Sequence, residues 1–69
     1  MHEKIKDIYN SVWRAYKDFL SNGDVKACTD QLHGVIERYA GDSFMRQFAE
    51  NMAVTMAPVI NALAERGRE

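Results

Sequence analysis

Asp30, His33 and Glu37 stand at i, i+3 and i+7, a spacing that gathers two carboxylates and an imidazole on one face of a helix. Asp-x-x-His is half of the carboxylate–histidine arrangement that di-metal helical bundles use. The other half must come from inward-pointing acids on facing helices, and this chain has no second acidic–histidine pair at that spacing. The trio also points away from Cys28 and Leu32, which belong to the apolar side of the same segment. It reads as a solvated polar face, and no metal is expected.

Cys28 and His33 raise a second possibility, a thiol nucleophile with its base. Five residues apart on a helix, they point about 140° from one another. His2 is the sole other histidine. Cys28 lies on an apolar stripe and is expected to be a buried structural thiol. No catalytic residue, cofactor site or metal site is therefore expected, and the chain does not read as an enzyme.

Two apolar sets carry a different chemistry. Met45, Met52 and Met56 are the adaptable residues of a recognition groove, since methionine accommodates varied partners; core filling is the simpler reading. Tyr9, Trp13 and Tyr16 could stack a base or a proline-rich peptide, although at helical spacing they read as core and its rim. Trp13, at the edge of the apolar arc, is the candidate surface aromatic.

The elements that must position these residues follow from periodicity. Ile5, Ile8, Tyr9, Val12, Tyr16, Phe19 and Leu20 recur at i, i+3, i+4 and i+7 and predict a helix over about 2–21. They fill an arc of roughly 140°. Gly23 ends it. Val25, Cys28, Leu32, Val35, Ile36 and Tyr39 predict a second helix over about 25–40, with Asp24 placed to cap it and Gly41 to stop it. Met45, Phe48, Met52, Met56, Val59, Ile60 and Leu63 predict a third over about 43–66, started by Asp42 or Ser43. Pro58 lies inside that third pattern and removes the bond to the carbonyl of Val54. The stripe keeps its phase across Pro58, so a single helix bent there is expected rather than two pieces. Short connections make sequential helices antiparallel neighbours. The fold class is an all-α, three-helix up-down-up bundle in one domain, residues 1–69, with the third helix longest and bent at Pro58.

Composition bounds the function. Sixty-nine residues make one domain, and a chain this short is marginal alone. The net charge of −1 and the mix of signs give no basic stripe of the kind nucleic-acid binders carry. The join of helices two and three invites a helix-turn-helix reading, but Phe44, Met45, Arg46, Gln47 and Phe48 offer one cation where a recognition helix needs several. No run approaches the ~18 apolar residues of a membrane span. One cysteine excludes an intrachain disulfide, and with no apolar leader at the amino terminus the expectation is a cytoplasmic protein.

The third stripe points to a partner. Ala49, Ala53, Ala57 and Ala64 widen it to an arc of about 180°, more than one core face needs. By length the third helix overhangs the second by on the order of 10 Å. A homodimer through helix three is expected, with Ala49, Ala53, Met56, Ala57, Ile60, Leu63 and Ala64 as its candidate interface.

Three short motifs also carry a likeness. Ile8-Tyr9-Asn10-Ser11-Val12-Trp13, Tyr16-Lys17-Asp18-Phe19 and Arg38-Tyr39-Ala40-Gly41-Asp42-Ser43-Phe44 span most of the chain. In them it resembles a loose group of short helical proteins from phage-like and other mobile elements of anaerobic gut bacteria. The resemblance implies a small accessory protein and transfers no functional residue. The expected function is a non-enzymatic helical interaction or assembly module with a protein partner. The alternative is a small nucleic-acid-associated regulatory protein.

Overall fold

The computed structural model describes residues 2–67, which form three helices and no strand. They are α1 (His2–Asn22), α2 (Val25–Arg38) and α3 (Ser43–Gly67). At 1.5 Å per residue these are about 31, 21 and 37 Å long. α3 thus accounts for most of the 41 Å long axis of a molecule only 16 × 15 Å across.

Local chemistry explains each end. Gly23 takes φ +68, the left-handed conformation open to glycine without steric cost, and its N–H donates to the Phe19 carbonyl at 2.7 Å. Asp24 then caps α2, its side chain accepting from the Ala27 N–H at 3.0 Å. α2 stops at Arg38, two residues before the expected end. The N–H groups of Tyr39 and Ala40 turn to the carbonyls of Ile36 and Glu37, each at 3.1 Å, tightening the last turn to i→i−3 bonds. Asp42 caps α3 by accepting from the Met45 N–H at 3.2 Å. α3 runs unbroken through Pro58, as the phase of its stripe requires.

The core takes Ile8, Val12, Ala15 and Phe19 from α1, Cys28, Leu32 and Val35 from α2, and Met45, Ala49 and Ile60 from α3. These are spaced at i, i+3, i+4 and i+7, so each helix offers one stripe to the shared interior. Three stripe residues of the sequence reading are exposed instead: Tyr9, Leu20 and Val59. Tyr9 and Leu20 lie at one edge of the α1 arc and Val59 near an edge of the α3 stripe, outside the faces that pack on the interior. Ala15, which the stripe did not include, is fully buried. By helical spacing it lies just beyond the Ile8 edge of that arc, opposite Tyr9 and Leu20, so the buried face of α1 is rotated toward it.

A polar clasp ties the three helices at one end. The Asp7 carboxylate accepts from Arg38 Nη1 at 2.6 Å and from the Tyr39 hydroxyl at 2.5 Å. Lys4 Nζ meets Asp42 Oδ2 at 2.7 Å. These contacts join the start of α1 to the turn between α2 and α3. The up-down-up order brings the three together there, with α1 and α3 running the same way.

A candidate interaction groove between the first and third helices

α1 turns Tyr9, Trp13 and Tyr16 toward α3, and α3 turns Met52, Met56 and Val59 toward α1. Both sets are spaced i, i+4, i+7, so two parallel stripes face one another over about two helical turns. α1 and α3 touch each other less than either touches α2. The gap between the stripes is an open apolar groove of about 380 Å³.

Its floor and walls differ. Val12 is buried beneath it, and Tyr16, Met52 and Met56 are half-buried. Tyr9, Trp13 and Val59 stand up as walls at 55%, 56% and 43% exposure, unusual for such side chains in one cluster. The walls are braced. The Tyr9 ring packs on Phe48 at 5.8 Å between centroids, tilted by 57°. The Trp13 ring lies 5.5 Å from Tyr16, and Lys17 Nζ sits 6.0 Å from the Trp13 centroid. These are distances at which aromatic pairs and cation–π contacts attract. The aromatics are held in place on the outside of the bundle.

The second groove, between α2 and α3, is different in kind. It encloses about 370 Å³ and is lined by Cys28, Thr29, His33, Ala53, Val54 and Ala57 among others, with Glu50 and Asn61 in its wall. Cys28 and His33 both border it, yet no hydrogen bond joins them among the described residues. Cys28 is 2% exposed. Burial pushes its thiol pKa up, and the nearby Asp18 carboxylate pushes the same way. Both effects disfavour the thiolate that nucleophilic chemistry needs. Asp30, His33 and Glu37 are all exposed on α2. Among the described residues no group of three His, Cys, Asp or Glu side chains is placed to hold a metal ion.

The candidate interface residues of α3 separate into three kinds. Ala49 and Ile60 are buried inside the chain's own core, so the expectation that they face a second copy is corrected. α1 and α2 close over them because α1 is long enough to cover much of the overhang that α2 leaves. Ala53, Met56, Leu63 and Ala64 are half-buried against that core. Ala57 alone of the set is exposed. The large apolar residues that α3 leaves uncovered are Phe44 in its first turn, Val59 toward α1, and Val54, with Ala57 beside it, toward α2.

Helical spacing could have found the groove. The i, i+4, i+7 set of Tyr9, Trp13 and Tyr16 matches that of Met52, Met56 and Val59. The methionines read as core filling and the aromatics as core and its rim, with Trp13 alone the candidate surface aromatic, because nothing local tells which edge of an apolar arc a neighbouring helix covers. The Asp7–Arg38–Tyr39 clasp carried no local signal.

Compared with protein-family models, with curated proteins and with solved structures, the chain matches none.

Proposed function

We propose that this chain is a non-enzymatic protein-interaction module that binds through the groove between α1 and α3. The observation that carries this reading is the braced, half-exposed wall of Tyr9, Trp13 and Val59 over a methionine floor. Rigid aromatics held outside the core lose little conformational freedom on binding, and methionine adapts to the surface laid on it. A cytoplasmic setting is part of the proposal; a single buried cysteine suits a reducing compartment. So is the accessory role that the resemblance to mobile-element proteins implies.

A photo-crosslinking residue placed at Val59 tests it in cells that express the chain. Protein adducts should form there, should be lost on Trp13→Ala, and should not form from Lys26 on α2. Equal labelling from both positions would remove the groove from the proposal.

A homodimer is the second reading, favoured by Val54, 72% exposed beside Ala57 on the other flank of α3. Ala53→Glu should then return a mass near twice 7.9 kDa to that of one chain. A parent protein that sediments as a single chain at micromolar concentration ends that reading.

A further inference from the structure

Among the described residues, the charges that flank the α1–α3 groove are of one sign. Lys17 lies over Trp13. Lys6 stands one turn before Tyr9 and two turns before Trp13, on the same side of α1. Arg66 stands two turns after Val59, on the same side of α3. Among the described residues neither Lys6, Lys17 nor Arg66 takes part in an ion pair. The cations elsewhere are mostly paired: Lys4 with Asp42, Lys26 with Asp30, Arg38 with Asp7, Arg46 with Glu50. By helical spacing Asp7 and Asp18 lie on the α2 side of α1 and Glu3 on its outer side; Glu50 and Glu65 lie away from the groove on α3. Among the described residues, a chain of net charge −1 therefore presents an apolar groove with Lys17 at its Trp13 wall, Lys6 and Arg66 toward its two ends, and no carboxylate along it.

We propose that the groove takes a short acidic amphipathic helix of another protein, its apolar residues seated between Trp13 and Met56 and its carboxylates beside Lys6, Lys17 and Arg66. The inference rests on the interaction reading above and specifies its partner. Size favours a segment. The exposed parts of Tyr9, Trp13 and Val59 amount to on the order of 300–400 Å², well below the ~800 Å² that each side of a stable protein pair buries. A groove two turns long between parallel helices accepts a helix along its axis, anchored by residues one turn apart. Charge argues against a second copy, since a two-fold through this groove sets its cations against their own copies. It also argues against nucleic acid. Three separated cations above a methionine and valine floor lack the continuous basic track that a phosphate backbone follows.

Random-peptide display on the immobilised full chain tests the partner class, with the single tryptophan as reporter. Selected peptides should be acidic, should carry aliphatic or aromatic residues at i and i+3 or i+4, and should shift Trp13 emission on titration. Their affinity should fall with added salt. Lys6→Glu with Lys17→Glu should weaken them roughly tenfold or more and turn selection toward basic peptides. Lys26→Glu, the same change on another face, should leave them alone. Thermal melts of each variant separate lost binding from lost folding. Neutral or basic binders that still shift Trp13 would overturn the acidic class while leaving the groove as the interaction site. Binders indifferent to Trp13→Ala, or no binder at all, would overturn both. Tighter binding of a single-stranded oligonucleotide at Trp13, or a mass doubling that Trp13→Asp abolishes, would replace the acidic helix with that occupant.

Discussion

The Tyr39 hydroxyl donates to the Asp7 carboxylate at 2.5 Å across thirty-two positions of sequence. This bond, with the Arg38 guanidinium beside it, fastens the start of α1 to the end of α2. It holds the Asp7 pKa below its ordinary value of 3.8, chiefly through the tyrosine and next through the arginine. The same bond raises the pKa of Tyr39.

Acid should loosen the clasp. Asp7 has a native pKa below its unfolded one, so its contribution is complete above the unfolded value and is lost as pH falls through the native value. Asp42 shifts in the same direction, through Lys4 first and the Met45 N–H next. Thermal melts from neutral down to about pH 3 should show falling stability. Both partners of the Asp7–Arg38 pair are substantially exposed, so the ion pair is worth under about 1 kcal/mol. Tyr39→Phe should cost about 0.5–1.5 kcal/mol at neutral pH. It should also flatten the acid dependence; an unchanged profile would show that the clasp does not govern it.

Two glycines should respond in opposite directions. Gly34 is inside α2, exposed, and an added Cβ meets nothing within 4 Å. Gly34→Ala should stabilise by about 0.5–1 kcal/mol and raise the melting temperature by several degrees. Gly23 also has open space, but its φ of +68 is strained for alanine. Gly23→Ala should destabilise by about 1 kcal/mol. Equal effects of the two substitutions would contradict the backbone assignment.

Adjacent residues on α3 should differ by several-fold in cost. Ile60 is 3% exposed, and Ile60→Ala should cost about 2–5 kcal/mol through lost burial and the cavity left behind. In a chain this small that is a large share of total stability. Val59 forms a groove wall, and Val59→Ala should change stability by no more than about 0.5 kcal/mol. Urea melts measure both.

Cys28 should resist alkylation. Its raised pKa and burial leave little thiolate at neutral pH. Iodoacetamide should modify it slowly in the native chain and fast in denaturant, with the native rate following global opening. Quick modification of the folded chain would mean that the α2–α3 groove opens to the thiol.

The three helices and most of their ends were legible in the residues alone, because helix periodicity and capping are short-range. A run such as Ile5, Ile8, Val12 and Phe19 marks its face without reference to any other segment. Asp24, Asp42 and Gly23 act on amides and carbonyls within four residues. Tertiary structure decided everything that depends on which neighbour lies where. The arc of α1 was visible, but only packing left Tyr9 and Leu20 outside and sealed Ala15 within. The breadth of the α3 stripe was visible too, yet α1 and α2 closed over Ala49 and Ile60, leaving the outer flanks open. The groove and the clasp both join residues remote in sequence. Their geometry comes from two parallel helices held by a third, a relationship that no local pattern encodes.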